Sequence, residues 1–285
     1  MTQSWGRRPD KSNHCVESPV RSRVMGVVNI TPDSFSDGGR LASVDAAVDH
    51  AMGLVSQGAD ILDVGGESTR PGADPVSKAD EIDRVVPLVE AIRARWDGPI
   101  SVDTMKPAVF RAAHAAGATM WNDVTALTHA PDSLETAVRL GCDVVLMHMK
   151  GEPRSMQEAP HYDDVVSEVA DFLLERATAA VEAGIDLRRI TLDPGLGFGK
   201  TAEHNLALLR GLNQLTALRF PVLVGASRKR TIQAIDPTAA DPLDRLGGSL
   251  ALHLFAASRG ASIIRAHDVR ETVQALKVQA ALTNE

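Results

Sequence analysis

Short apolar runs that end in a polar residue alternate along the chain with longer stretches whose apolar positions recur at helical spacing. The first run, Val24 to Asn29, is mostly apolar and ends in an amide. That pattern reads as a buried strand whose last residue leaves the core. Thr31 to Gly39 then collects Pro, Asp, Ser and Gly, the residues of a polar loop. Ser43 can cap a helix running to about Gln57, with Val44, Ala47, Val48, Ala51, Leu54 and Val55 on one face and Gly58 as its stop.

The unit recurs. Ile61–Gly65 is a strand and 66–72 a loop, and Ser77 with Asp80 resembles a capping box before a helix that turns Ile82, Val85, Val86, Val89 and Ile92 to one side. Strand Ile100–Asp103 precedes a helix starting at Pro107, and strand Met120–Asp123 one from about Pro131. Val144–His148 leads through a long loop to a helix over Asp163–Ala183. Ile190–Asp193 leads through Pro194–Lys200 to a helix through Leu215. Val222–Gly225 feeds Ser227-Arg228-Lys229 and helical segments up to Ser258. Ile263–His267 feeds the last helix, with Val269, Val273 and Leu276 inward. The helix-to-strand joints are tight and built on Gly58-Ala59, Gly117-Ala118, Gly141-Cys142 and Gly260-Ala261, whereas the strand-to-helix joints are long and polar. Eight such units without a linker or composition shift predict one α/β domain, a single (β/α)8 TIM barrel over residues 21–285. A doubly wound open sheet is the alternative, since alternation alone does not reveal a topological switch point.

In a (β/α)8 barrel the C-terminal strand ends form the active face. Those ends are Asn29, Asp63, Asp103, Asn122 with Asp123, His148, Asp193, Ser227 to Lys229, and Arg265 with His267. A turn or cap accounts for any one of them; their convergence from eight strands points to a site. Asp63, Asp103, Asn122 and Asp193 suit a neutral ligand rich in N–H donors, such as an aminopyrimidinone. Lys229, Arg228, Arg70, Arg265 and His267 suit phosphate oxygens, and backbone amides after Ser227 could add to the anion site. No phosphate-loop or dinucleotide fingerprint is present, and Gly195-Leu196-Gly197-Phe198-Gly199 is best read as a shaped loop. His148 reads as a core histidine, and His50, His114, His204 and His253 as surface or packing residues on helices. Cys142 reads as a buried structural thiol.

Composition narrows this further. The 285 residues are 44% hydrophobic and 24% charged, ordinary for a globular protein, and only 4% aromatic, so Ala, Val, Leu and Ile must build the core. A formal charge of −7 argues against nucleic acid and anionic membrane as partners. No apolar run reaches the length of a membrane span. Two cysteines give neither a disulfide framework nor a zinc motif, which fits a reducing, cytoplasmic location. Residues 1–20 read as a polar N-terminal extension.

Taken in order, several segments resemble the signatures of the dihydropteroate synthase family. They are Asn29–Gly39, Asp63–Gly72, Ser101–Thr104, Asn122-Asp123, Leu146–Met149, Asp193–Lys200, Ser227–Lys229 and Arg265–Asp268, and the resemblance spans Arg21 to about Ala281. It implies a transferase of folate biosynthesis that joins 6-hydroxymethyl-7,8-dihydropterin diphosphate to 4-aminobenzoate and releases pyrophosphate. It also implies Mg2+ as cofactor, sulfonamides as inhibitors and a homodimer held through the last helices. On this resemblance Asp103, Asn122, Asp193 and Lys229 hold the pterin, with Asp63 and Met147 lining its slot. Asn29 joins the magnesium-bound diphosphate, which Arg265 and His267 grip, and Ser227 and Arg228, in one turn with Lys229, are substrate-binding. Thr69 and Arg70 lie on a loop that closes over the substrates, and Phe198, Pro71 and Lys229 surround the aminobenzoate. Asp33 and Phe35 are expected on a lid over Thr31–Gly39. Arg230 stands where many relatives have serine, which leaves the edge of the aminobenzoate site open. A pterin-binding paralogue without turnover and a corrinoid-linked pterin methyltransferase are the competing expectations; neither explains all of the basic rim.

Overall fold

Eight short parallel strands supply the frame: β1 (Arg23–Asn29), β2 (Ile61–Gly65), β3 (Ile100–Asp103), β4 (Met120–Asp123), β5 (Asp143–Met147), β6 (Ile190–Asp193), β7 (Leu223–Val224) and β8 (Ile263–Ala266). The computed structural model describes residues 22–30, 39–68, 74–151 and 156–283. The strands pair in the order β6-β5-β4-β3-β2-β1-β8-β7, and a parallel bridge from Leu192 to Val222 joins the two ends of that row. The sheet therefore closes on itself, which removes the open doubly wound alternative and leaves a (β/α)8 barrel.

The period of two along each strand decides what faces inward. One interior layer is Met25, Ile61, Met120, Val145, Leu223 and Ile263, buried together. The intervening residues, among them Val24, Leu62, Val102, Trp121, Leu146, Leu192 and Ile264, face the helices and join the main core. Two residues beyond the apolar layer, the same inward face carries Asp63 on β2, Asn122 on β4, Met147 on β5 and Arg265 on β8. Asp103 and Asp193 stand beside them in the paired registers. The polar strand ends are thus one storey of the barrel interior.

The helices are α1 (Gly39–Ser56), α2 (Lys78–Arg93), α3 (Pro107–Ala115), α4 (Ser133–Leu140), α5 (Val165–Ala183), α6 (Ala202–Arg210), α7 (Leu212–Thr216), α8 (Arg230–Ile235), α9 (Leu246–Ser258) and α10 (Val269–Thr283). Ser77 caps α2 as its sequence predicts, its Oγ accepting the Asp80 amide. Several boundaries differ from expectation; β5, β7, β8 and the start of α5 shift by one or two residues. The α1 backbone is helical from Gly39, before Ser43. Helix α4 starts at Ser133 rather than at Pro131. The helix through Leu215 is interrupted at Gly211, giving α6 and α7. His204 is not a passive surface residue, because it closes a reciprocal capping box with Thr201. His253 is 1% exposed and packs in the core between α9 and α10, its Nδ1 3.3 Å from Thr272 Oγ1. Cys142 is buried, and burial pushes its thiol up to about 12. Asp33, Phe35, Thr69, Arg70, Pro71 and residues 1–20 lie outside the described residues.

Candidate active site

The inward storey forms a charged floor. Arg265 donates from Nε to Asp63 Oδ2 at 2.6 Å and from Nη2 to Asp103 Oδ2 at 3.0 Å. Asn122 Nδ2 donates to both oxygens of Asp63, at 3.2 and 3.4 Å. Asp63, fully buried, is the hub of the network. The sequence sets the acceptors for a heterocycle apart from the cations for phosphate; in the structure Arg265, one of those cations, lies across the floor and joins two carboxylates. Burial works against its charge, but Asp63 and Asp103 outweigh burial and raise its pKa above the ordinary value. A guanidinium has five N–H donors, so these two bonds leave others for a ligand. Asp103 is different. Its Oδ1 is buried with no hydrogen-bond partner among the described residues. An orphaned buried acceptor costs about 1–3 kcal/mol, and a ligand N–H would remove that cost.

Asp193 Oδ1 accepts the Gly195 amide at 2.7 Å, so its loop holds it from behind. Burial raises its pKa, against the Gly195 bond and the charges of Lys229 and Arg265. Met147 is buried beside it on β5. Asp123, next to Asn122, turns to the other face. It accepts the Thr125 and Leu127 amides and the Thr125 hydroxyl, tying a loop in which Ala126 and Leu127 both have positive φ. It therefore acts as a cap rather than as part of the floor.

On the other side of the mouth, the turns after β7 and β8 are fastened into one block. Ser227 Oγ accepts the His267 amide at 3.2 Å and lies 3.0 Å from His267 Nδ1. Arg228 has φ +58, a strained value for a non-glycine residue. Ser249 Oγ accepts its amide, Arg245 Nη1 donates to its carbonyl, and its guanidinium makes two bonds to Asp268 at 2.6 and 3.1 Å. The Arg228 amide, expected to meet an anion, is thus committed within the protein. Lys229 Nζ lies 4.5 Å from the centroid of the Phe198 ring, a cation–π arrangement that brings together two residues expected in one subsite. Arg230 is exposed at the first position of α8. Asn29 ends β1 at the exposed rim, with its Oδ1 beside Gly65, where an added Cβ would stand 3.2 Å away.

Sequence reasoning passed over two further groups. Lys106 Nζ donates to Glu67 Oε2 at 2.9 Å, Glu81 Oε2 at 2.7 Å and the Val76 carbonyl at 2.8 Å, while Glu67 Oε1 accepts the Val76 amide at 2.8 Å. Both stems of the segment bearing Thr69, Arg70 and Pro71 are thereby fixed to α2. Lys200 is the other, buried under the loop that follows β6. A lysine after a glycine-rich run reads as solvated, and only the tertiary fold shows otherwise.

Fold and site together define a (β/α)8-barrel enzyme whose mouth pairs a buried, acceptor-rich floor with a cationic flank. The match to known proteins is specific: residues 25–267 fit the family described as pterin binding enzymes, and the chain belongs to that family. The dihydropteroate synthase of Escherichia coli strain K12 is 50% identical over 255 residues, 90% of this chain and 89% of that one. Among solved structures, the Xanthomonas albilineans dihydropteroate synthase with 4-aminobenzoic acid superposes with TM-score 0.86 at 53% identity, covering 93% of this chain and 94% of that one. The Yersinia pestis dihydropteroate synthase in a sulfonamide complex does so with TM-score 0.86 at 46% identity, covering 92% and 94%.

Proposed function

We propose that this barrel condenses 6-hydroxymethyl-7,8-dihydropterin diphosphate with 4-aminobenzoate to give 7,8-dihydropteroate and pyrophosphate. The observation that carries the reading is the floor, where Asp63, Asp103, Asn122 and Asp193 converge and one buried Asp103 oxygen lacks a donor. An aminopyrimidinone edge offers N–H groups to such acceptors. Met147 lines the slot, and Phe198 with Lys229 borders the arylamine, joined by Pro71 from the second loop. Thr69 and Arg70 are taken to reach the diphosphate from that loop, and Asp33 and Phe35 to approach from the first.

An arylamine is neutral at pH 7 and needs no strong base. Its lone pair forms the new C–N bond at the pterin methylene, the C–O bond to diphosphate breaks, and the amine proton leaves. The slow event in this reading is departure of the diphosphate, so positive charge develops on the methylene and negative charge on the leaving group. The Asp103 carboxylate stabilises the first; Lys229, Arg265 and His267 stabilise the second. Mg2+ fits the rim, because it takes few protein oxygens, keeps several waters and binds phosphate. Among the described residues, no group of three or more His, Cys, Asp or Glu forms a dedicated cage. Asn29 would hold it, and when bound it neutralises leaving-group charge.

Arg228 is assigned a positioning role through Asp268, rather than a direct hold on the substrate. Arg228→Ala and Asp268→Asn are each expected to lower kcat/KM roughly ten-fold, with the double variant no worse than the worse single one. That is the non-additivity of a coupling of about 1–2 kcal/mol. A severe loss confined to Arg228→Ala would instead place that side chain on the substrate.

No helix among the described residues is long and apolar enough to cross a membrane. We take the enzyme to act in the cytoplasm as a homodimer, with exposed Val278 and Leu282 on α10 as contact candidates. The deciding assay is pyrophosphate release from the pterin diphosphate. Release is expected only with 4-aminobenzoate present, and is expected to fall when a sulfonamide is added. Release that ignores 4-aminobenzoate would overturn the reading.

A further inference from the structure

The glycine-rich loop after β6 docks on the segment that follows β5 through close backbone contact. A Cβ on Gly195 (φ +64) would stand 2.0 Å from the His148 carbonyl oxygen, and one on Gly199 (φ +63) 2.2 Å from that of Lys150. No side chain fits either contact. The approach brings carbonyl oxygens together, and carbonyl dipoles that converge in a dry place repel one another unless a donor sits among them. Lys200 supplies it. Its Nζ is 3.2 Å from the His148 carbonyl, 3.0 Å from that of Gly195 and 3.0 Å from that of Phe198. An ammonium has three donors, shared here among four acceptors, the three carbonyls and His148 Nδ1, and burial draws the Lys200 pKa down to about 7. The His148 Nδ1 lies 2.9 Å from the same nitrogen. Burial, with help from the Lys200 charge, pushes the His148 pKa down to about 3, so the ring is neutral and presents an acceptor.

We propose that Lys200, buried at 3% exposure with His148 against it, is a positioning residue for the substrate face of this loop. The loop carries two groups of the proposed site. The Gly195 amide holds Asp193, and the Phe198 ring lies against Lys229. Lys200 touches neither side chain. It fixes the carbonyls of Gly195 and Phe198, and through them the backbone from which both groups are held. Of the floor, only Asp193 is held by this loop; Asp63, Asp103, Asn122 and Arg265 are tied to one another independently of it. Loss of Lys200 therefore falls mainly on the Phe198 side.

The inference rests on the proposed condensation for its kinetic readout. Its test uses Lys200→Met, which removes the donors at similar length, and Lys200→Gln, which keeps a shorter neutral pair. Amide exchange within 194–199 is expected to speed up roughly ten-fold in the Met variant while strands β1 to β4 keep their protection. KM for 4-aminobenzoate is expected to rise about ten-fold, with pterin affinity within about three-fold, and the Gln variant between. Unchanged exchange in 194–199 would overturn the proposal. So would faster exchange with an unchanged KM, or an equal loss of both affinities with protection lost across the barrel. If Lys200→Met does not fold, the same outcomes are read from Lys200→Gln. A wild-type enzyme that fails to release pyrophosphate removes the proposed function, while the exchange result still judges the role of Lys200 in the loop.

Discussion

Asp103→Asn is expected to lower kcat by about 100-fold while the pterin still binds within a few-fold, the size seen when one preorganised group facing transition-state charge is lost. The substitution keeps the shape and an acceptor for Arg265 Nη2 but removes the charge that would face the developing cation. A loss expressed in kcat and kcat/KM alike marks an interaction made in the transition state. Unchanged turnover with pterin bound would remove the electrostatic role. The pH profile is a second check. Burial pushes the Asp103 carboxyl up, Arg265 pulls it down and Asp63 pushes it up again, leaving it at about 7. The active form is the carboxylate, so wild-type kcat/KM should rise with pH through about 7, and this limb should vanish in Asp103→Asn. Stability moves the other way. A carboxyl whose pKa is higher folded than unfolded stabilises the fold below its unfolded pKa, and that contribution is lost as pH rises through 7. At pH 8 the Asn variant should therefore melt higher than wild type, with the gap closing towards acid. Activity and stability measured on one variant would thus separate charge from packing.

Lys229→Ala should cost ten-fold or more in turnover, since it removes a cation assigned to leaving-group charge. The same change takes away the partner of the Phe198 ring, so a rise in KM for 4-aminobenzoate is expected alongside the lower kcat. Steady-state kinetics with each substrate varied in turn would separate the two. Near-normal values of both would remove Lys229 from the chemistry.

Much of this was legible in the sequence for a simple reason. On β2, β4 and β8 a polar residue sits two positions beyond an inward apolar one, as Ile61 and Asp63, Met120 and Asn122 or Ile263 and Arg265, while on β3 and β6 the residue two before Asp103 or Asp193 is Ser101 or Thr191. Period-two counting thus finds the barrel, the floor and its residues together. It also separates Asn122 from Asp123, because adjacent strand residues face opposite ways. What failed to show was whatever depends on pairing across distance. The Arg228–Asp268 pair links residues 40 positions apart, and nothing local marks Arg228 as spoken for. Arg265 reads as a rim cation until the closed barrel sets it across from Asp63, 202 positions earlier. Lys200 is hidden for the same reason, since its acceptors on His148 come from another strand end. The α4 start differs by two residues, the ordinary scatter of a helix boundary.

The two interior layers of the barrel also bear on how such a molecule can diversify. Met25, Ile61, Met120, Val145, Leu223 and Ile263 close the lower storey with side chains that carry no net charge. The storey above holds carboxylates, an amide and a guanidinium, in an arrangement that includes an orphaned oxygen and a raised carboxyl pKa. Because the lower layer packs the barrel interior by apolar contact beneath the hydrogen-bonded strand ladders, the upper one is released from having to be the best-packed part of the protein. A lineage can rewrite the upper storey for another flat heterocycle and inherit the lower one intact.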